Sequence, residues 1–205
     1  MEKPLLKLGV LISGRGSNLK ALIEAIKNKE LNAKICIVIS NNPKAYGLRI
    51  AETNSIPTKI IEPKQFNSLE EYEKIILNSL NQYQVDLLIL AGYMKVLGPT
   101  LLKAFPNKIM NIHPSLLPSF RGLHAQKQAI DFGVRCSGCT VHFVNEELDG
   151  GPIILQEAVP VLPKDTDDSL SERILVKEHK LYAKAIQLYA EGRLKIKNNK
   201  VIITE

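Results

Sequence analysis

Short apolar runs alternate with helix-like segments along the first half of the chain, and this alternation limits the possible folds more than any other feature. The apolar runs predict strands at 8–12, 35–39, 58–61 and 87–91. The intervening spacing predicts helices after the first run and over 45–54 and 69–83. Strands that are apolar on both faces are typical of a parallel sheet covered by helices. We therefore expect an α/β fold, with a Rossmann-like, doubly wound, mostly parallel sheet and helices on both faces.

The second half of the chain continues the sheet with a different pattern. It predicts, in order, a short helix 99–104, a strand 108–112, a proline-rich loop 113–122, a helix 125–132, strands 140–144 and 153–160, a long amphipathic helix 170–189 and a hairpin 194–203. Asp165, Thr166 and Asp167 carry oxygen atoms suited to capping the long helix. Because no repeat, linker or low-complexity tract interrupts the chain, we expect one domain over 1–205.

Composition excludes several classes of protein. Of the 205 residues, 45% are hydrophobic, and 27 Lys+Arg against 21 Asp+Glu give a net charge of +6. The longest apolar runs fall far short of the ~20 residues of a membrane helix. The start of the chain lacks the features of a secretory signal, so we expect a cytoplasmic protein. Scattered lysines, 6 Tyr, 5 Phe and no Trp favour a solvated basic surface over a nucleic-acid interface.

The 3 cysteines do not form a disulfide framework, and free thiols fit a reducing compartment. Cys36, within an apolar run, is expected in the core. Cys136-Ser137-Gly138-Cys139 matches half a zinc site and has His124 and His142 nearby. The second cysteine pair of such a site is missing. The favoured interpretation is two incidental thiols in a turn, with no metal.

A glycine turn follows the first predicted strand. Gly14 and Gly16 stand where backbone N–H groups at a helix start favour an anion. Leu19 replaces the third glycine of a dinucleotide motif, and Ser40-Asn41-Asn42 replaces its acidic residue. No Gly-Lys-Ser/Thr follows, which disfavours a nucleoside triphosphate loop. The turn therefore predicts a site for one phosphate, with Ser17 and Asn18 as further donors; a simple tight turn is the alternative.

Two further clusters carry groups suited to proton transfer. Asn111 and His113 end a predicted strand two residues apart, so both side chains project to one face. An imidazole can move a proton there while the amide steadies an oxyanion. In the turn 146–152, two glycines after Asp149 would let its carboxylate point inward and favour the imidazolium of His113. The alternatives are a capped strand end with a hydrogen-bonded histidine, and a solvated acidic turn.

The chain resembles the phosphoribosylglycinamide formyltransferase family, folate-dependent enzymes of purine synthesis. The resemblance covers nearly the whole chain and is carried by three motifs: Ser13-Gly14-Arg15-Gly16-Ser17-Asn18-Leu19, Asn111-Ile112-His113-Pro114-Ser115-Leu116-Leu117-Pro118 and Glu147-Leu148-Asp149-Gly150-Gly151-Pro152. The second and third motifs are shared by other enzymes that use 10-formyltetrahydrofolate. They therefore specify the formyl donor better than the acceptor.

The resemblance implies a role for each matching residue. Asn111, His113 and Asp149 would be catalytic; Gly16, Ser17, Asn18 and Glu178 would bind glycinamide ribonucleotide; Met94, Lys95, Val96 and Leu97, with Asn111, would bind the folate. It further implies the formyltransferase fold, 10-formyltetrahydrofolate as co-substrate, no metal, no nucleic-acid or membrane partner, and a monomer or weak homodimer. Leu69 stands where some members carry an anion-binding arginine, and Lys64 is a possible substitute.

Other functions remain open at this point. Methionyl-tRNA formyltransferase is similar over the middle of the chain but carries a further C-terminal domain. Formyltetrahydrofolate deformylase carries an extra N-terminal domain and lacks the Gly-x-Gly-Ser-Asn turn; it would hydrolyse the same folate with water as acceptor. A binding protein for a phosphorylated metabolite would turn nothing over, and a nucleic-acid module would show binding that depends steeply on salt.

Overall fold

The structure is a computed structural model that describes residues 4–205. The described residues form a seven-stranded sheet of order β3-β2-β1-β4-β5-β6-β7 and a separate two-stranded hairpin, β8-β9. The chain divides into two compact units, with the division between residues 110 and 111. That division falls inside the strand β5, Ile109–His113.

Strands and helices alternate in the unit that ends at residue 110. In chain order the elements are β1 (Leu6–Ile12), α1 (Ser17–Lys27), β2 (Ala33–Ser40), α2 (Tyr46–Thr53), β3 (Thr58–Ile60), a 3-10 turn (Pro63–Gln65), α3 (Leu69–Gln82), β4 (Leu87–Leu90) and α4 (Pro99–Ala104). β1 pairs in parallel with β2 on one side and with β4 on the other, and β2 pairs in parallel with β3.

Burial on both faces explains the continuous apolar runs of these strands. Five consecutive residues of β1, Leu8 to Ile12, are buried, as are all four residues of β4. The chain moves outward from β1 to β2 and β3 and then returns to β4 on the other side of β1. Such a reversal of strand order opens a crevice beyond the carboxyl ends of the two inner strands, where ligands of open α/β sheets bind. Residues 13–18 and 91–98 follow those two ends.

The unit from residue 111 onward combines antiparallel strands with a long helix. Its elements after β5 are α5 (Ala125–Phe132), β6 (Cys136–Phe143), β7 (Ile153–Pro160), α6 (Asp167–Ala190), β8 (Leu194–Lys197) and β9 (Lys200–Ile203). β6 and β7 pair antiparallel along their length, with an irregularity between Val141 and His142. Helix α6 packs against both strands. Asn198 and Asn199 both have positive φ and turn the hairpin β8-β9.

The predicted fold class is confirmed, and one local prediction is wrong. Cys136 to Cys139 begin strand β6 rather than forming a turn. The strand needs a small residue there, because a Cβ on Gly138 would lie 2.1 Å from the carbonyl oxygen of Glu157 on β7. Burial raises the pKa of the Cys139 thiol to about 12, so it remains protonated. All three cysteines are free, and residues 4–205 contain no group of side chains suited to a metal ion.

No helix among the described residues is long and apolar enough to cross a membrane. The other predicted elements have the predicted type, with ends shifted by a few residues. The largest shift is that of β6, which begins at Cys136 rather than at Thr140. Helix α6 begins at Asp167 rather than at Leu170. Thr166 caps it, accepting a hydrogen bond from Ser169 N while the Ser169 hydroxyl accepts one from Thr166 N. The prediction that oxygen side chains before this helix act as caps is confirmed.

Candidate active site

The glycine turn places the uncapped N-terminus of helix α1 at the carboxyl end of β1. Gly16 precedes α1 with φ +75°, and a Cβ there would lie 2.5 Å from the Cα of Gly47. Only glycine fits both the left-handed backbone and this close approach. No side chain caps α1, and its first turn carries no acidic residue. The first-turn N–H groups can therefore hold an anion, as the phosphate interpretation requires.

The segment 91–98 is tied by hydrogen bonds to the start of that turn. Ser13 N donates to Gly92 O at 3.1 Å, and Met94 N donates to the Ser13 hydroxyl at 2.9 Å. The backbone is thereby fixed, while the Met94 and Val96 side chains are 66% and 67% exposed and Leu97 is buried. Exposed apolar side chains on a fixed backbone suit contact with a flat ring system. The structure thus links the predicted phosphate and folate segments through Ser13.

The end of β5 holds a buried imidazole between two acceptors. His113 is 5% exposed, and its Nε2 lies 2.8 Å from Phe120 O. A carbonyl only accepts, so this nitrogen carries the hydrogen and donates it. Nδ1 lies 3.4 Å from Asp149 Oδ2. The two contacts hold the His113 ring in one orientation, with one nitrogen facing a carbonyl oxygen and the other facing a carboxylate.

Asp149 reaches His113 because of an unusual turn. It has φ +48°, and its side chain is 9% exposed. Oδ2 accepts a hydrogen bond from Gly122 N at 2.8 Å. A Cβ on Gly151 would lie 1.9 Å from Phe143 O, so the chain after Asp149 passes where no side chain fits. The carboxylate points inward as predicted, although the left-handed residue is Asp149 itself, and the solvated acidic turn is wrong for Asp149.

His142 on β6 also belongs to the cluster of Asn111, His113 and Asp149, although the sequence pattern did not predict it there. Its Nδ1 donates to Phe143 O at 2.9 Å, and its Nε2 accepts from Asn111 Nδ2 at 3.2 Å. The same Nε2 lies 3.9 Å from Asp149 Oδ1. Asn111 is thus oriented by His142, with its second amide hydrogen left for a ligand. Thr140 and His142 alternate on a predicted strand, and that spacing was the available signal.

A cavity of about 340 Å³ adjoins Asp149. Its lining comes from the loop after β5, the turn before and the start of β7, and the hairpin β8-β9: Leu117, Pro118, Arg121, Asp149, Gly150, Gly151, Ile153, Asn199, Lys200 and Val201. Arg121 lies at the edge of the cavity, and its guanidinium pairs with Glu147. The carbonyl oxygen of Arg121 accepts a hydrogen bond from Gln128 Nε2 at 3.2 Å. The loop after β5 is therefore held at several points around the cluster.

The remaining predicted residues lie elsewhere in their units. Glu178 is buried on α6, 7% exposed. Leu69 begins α3 and is 47% exposed. Lys64, the possible substitute for the missing arginine, pairs with Glu62 at 2.9 Å. Its charge is thus already matched. Lys95 is exposed beside Met94.

Fold and cluster together indicate an α/β enzyme in which an amide, an imidazole and a carboxylate lie side by side at the end of β5. A family model described as Formyl transferase matches residues 6–186. The chain belongs to this family. The phosphoribosylglycinamide formyltransferase of Haemophilus influenzae is 45% identical over 193 residues, which cover 94% of this chain and 91% of that protein.

Two other relatives extend this comparison. The trifunctional purine biosynthetic protein adenosine-3 of Gallus gallus is 47% identical over 190 residues, covering 93% of this chain and 19% of that protein. The chain therefore spans about a fifth of the length of that relative. The crystal structure of glycinamide ribonucleotide transformylase 1 from Symbiobacterium toebii matches with a TM-score of 0.98 and 45% identity, covering 100% of this chain and 96% of that one.

Proposed function

We propose that the chain transfers the formyl group of 10-formyltetrahydrofolate to the primary amine of glycinamide ribonucleotide. The products are formylglycinamide ribonucleotide and tetrahydrofolate, in purine biosynthesis. The observation that carries the proposal is the buried contact between His113 Nδ1 and Asp149 Oδ2 at 3.4 Å, beside an Asn111 amide that is oriented by His142. Membership of the formyl transferase family supports this chemistry.

The reaction needs no covalent attachment to the protein. The amine nitrogen attacks the formyl carbon, and the carbonyl electron pair moves to oxygen, giving a tetrahedral intermediate. The free hydrogen of the Asn111 amide donates to that oxyanion. When the intermediate collapses, the C–N bond to the folate breaks and the departing N10 takes up a proton. The amine loses the proton that balances this step.

His113 and Asp149 manage these protons. A protonated His113 stabilises the oxyanion and supplies a proton toward N10. Its Nε2 hydrogen is held by Phe120 O in this structure, so a substrate oxygen competes with that carbonyl for the same donor. Asp149 orients the ring and accepts the proton of the attacking amine through water.

Two binding segments supply the positioning on which direct transfer depends. Gly16, Ser17 and Asn18 bind the ribonucleotide phosphate at the start of α1, and Glu178 contacts the same substrate. Met94, Lys95, Val96 and Leu97 hold the pterin together with Asn111. The scheme requires no metal.

The test is a spectrophotometric assay with a 10-formyl folate, run with and without glycinamide ribonucleotide. We expect folate turnover only when the ribonucleotide is present. Turnover in its absence would identify a deformylase, and no turnover in either assay would favour a binding protein.

The variant Asp149→Asn extends this assay to the site. We expect a folded protein with at least ~100-fold lower kcat, because a neutral amide neither stabilises the imidazolium nor accepts a proton. Asp131→Asn is the matched control, since Asp131 is exposed and pairs with Lys127 on the same helix. Full activity in Asp149→Asn would rule out the proposed role.

We further propose that the protein acts in the cytoplasm, which suits its three free thiols, as a monomer or weak homodimer. Sedimentation velocity over a range of protein concentrations distinguishes these two states from a stable oligomer.

A further inference from the structure

A buried carboxylate lies beneath the segment proposed to hold the folate. Glu73 on α3 is 1% exposed. Its Oε1 accepts a hydrogen bond from Gly98 N at 2.5 Å, and its Oε2 accepts one from Leu101 N at 3.4 Å. The proposed reaction does not use Glu73. Burial of a carboxylate costs free energy unless hydrogen bonds compensate for the lost water. The two backbone N–H groups that bind Glu73 therefore indicate a structural role for its side chain.

What Glu73 fixes is the start of helix α4. Gly98 occupies the N-cap position of α4 and has no side chain to cap it. A Cβ at Gly98 would lie 2.7 Å from Leu69 Cδ2 and 3.0 Å from Glu73 Oε2. Helices α3 and α6 are capped by the local side chains of Ser68 and Thr166. Here the cap comes from a different helix, which ties the backbone of α4 to α3.

Helix α3 also contacts the opposite end of the segment 92–98, at Tyr93. Tyr72, the neighbour of Glu73, places its hydroxyl 2.5 Å from the hydroxyl of Tyr93. Tyr72 is buried, and burial raises the pKa of both phenols, so the pair is a neutral hydrogen bond. Met94 N is bound by the Ser13 hydroxyl. Residues 94–97 therefore lie between two anchored ends, with Met94 and Val96 exposed between them.

We propose that Glu73 is a positioning residue for the folate, which acts by fixing the backbone of residues 94–98 through Gly98. This inference rests on the proposed function, because it takes residues 94–97 as the pterin-binding segment. Glu73 touches neither substrate. Its loss is expected to weaken binding of the folate and to leave binding of the ribonucleotide unchanged.

The test compares Glu73→Gln with Glu70→Gln. The side-chain oxygen of a glutamine can accept a hydrogen bond from one of the two backbone N–H groups. Its NH2 group is itself a donor, so it cannot accept a hydrogen bond from the other. Glu70 is the matched control, because it lies on the same helix, is exposed and pairs with Lys74 at 2.6 Å. We expect Glu73→Gln to raise the Kd and KM for a 10-formyl folate analogue by about tenfold, the effect of losing one charged hydrogen bond. The KM for glycinamide ribonucleotide and the kcat at saturation should stay within about twofold, and Glu70→Gln should match the wild type.

Amide hydrogen exchange supplies a readout that does not depend on activity. In Glu73→Gln, the amides of residues 94–101 should exchange faster, while those of β1 and α1 keep their protection. Unchanged exchange and unchanged folate affinity would overturn the proposal, as would an equal rise in KM for both substrates. If the wild type binds the folate but transfers no formyl group, the proposed function fails, and the Kd and exchange of Glu73→Gln still decide the role of Glu73.

Discussion

Hydrogen-bond direction at single residues decides how the cluster around β5 is arranged. His142 donates from Nδ1 to Phe143 O, which leaves Nε2 bare to accept from Asn111. That pattern requires a neutral ring. Burial lowers the pKa of His142, against the opposing effects of the Phe143 carbonyl and the Asp149 carboxylate. The environment therefore maintains the form of His142 that orients the Asn111 amide.

This lowered pKa predicts a pH dependence of stability. In the unfolded chain His142 gains a proton as the pH falls through ~6.5, whereas in the folded chain it does so only at lower pH. The unfolded state then binds more protons, so the free energy of unfolding falls as the pH decreases. In His142→Gln this contribution is absent. Denaturant unfolding between pH 7.5 and 5 should therefore show a shallower decline for the variant, as judged on ~0.5-unit pH steps.

The other groups that face His142, namely His113, Asp149 and Arg121, are present in both proteins. The difference between the two curves therefore measures the contribution of His142 together with its coupling to these groups. Parallel curves would show that His142 is not held neutral by the fold.

At the level of elements, α6 is defined by its first turn. Thr166 and Ser169 form a reciprocal cap, and Asp167 and Asp168 place negative charge at the positive end of the helix. Asp165 accepts two hydrogen bonds from Arg173, at 2.7 and 2.8 Å. These bonds, together with one from Leu162 N, hold the pKa of Asp165 well below its usual range. Helix α6 packs against both β6 and β7.

The cap gives a prediction for Thr166→Ala. Loss of the hydroxyl leaves Ser169 N without its partner, and we expect the free energy of unfolding to fall by about 1 kcal/mol. Thr53→Ala is the matched control, because the Thr53 hydroxyl bonds only back to Arg49 O at the exposed end of α2. Its effect should stay within about 0.5 kcal/mol. Urea denaturation of both variants measures the difference, and equal midpoints would contradict the capping role.

At the scale of the whole molecule, the chain divides into two compact units, whereas its sequence predicts a single domain. The division between residues 110 and 111 falls within β5, where no linker of glycine, proline or polar residues intervenes. Domain boundaries normally fall in exposed, flexible segments. We therefore propose that residues 1–205 fold as one domain.

The prediction is a single cooperative unfolding transition. Scanning calorimetry should give a calorimetric enthalpy equal to the van't Hoff enthalpy, because two-state unfolding is expected of one domain. Saturating glycinamide ribonucleotide should raise the Tm of the whole transition. At a concentration 100 times its Kd, the ligand adds about 2.7 kcal/mol to the free energy of unfolding. Two separate transitions, only one of which responds to the ligand, would show that the units unfold independently.

Much of this molecule could be predicted from local pattern. Periodicity was sufficient for the parallel strands, because β1 and β4 are buried on both faces and read as unbroken apolar runs. Glycine spacing was sufficient for the left-handed turn at Gly16 and for the crowded backbone at Gly151, because only glycine fits at these two positions. The left-handed backbone of Asp149 itself was not predicted. The start of strand β6 at Cys136 was not predicted, because Gly138 is required by close contact with Glu157 on β7, a residue distant in sequence.

The sequence alone therefore determined the fold class, the family resemblance and the residues Asn111, His113 and Asp149 as candidates. Tertiary structure decided which atoms meet: that His142 orients Asn111, that Asp149 Oδ2 faces His113 Nδ1, and that Glu73 caps a helix to which it does not belong. The physical reason is range. Periodicity and turn preferences act within a few residues, whereas a hydrogen bond such as that from Gly98 N to Glu73 joins positions 25 apart and leaves no local pattern.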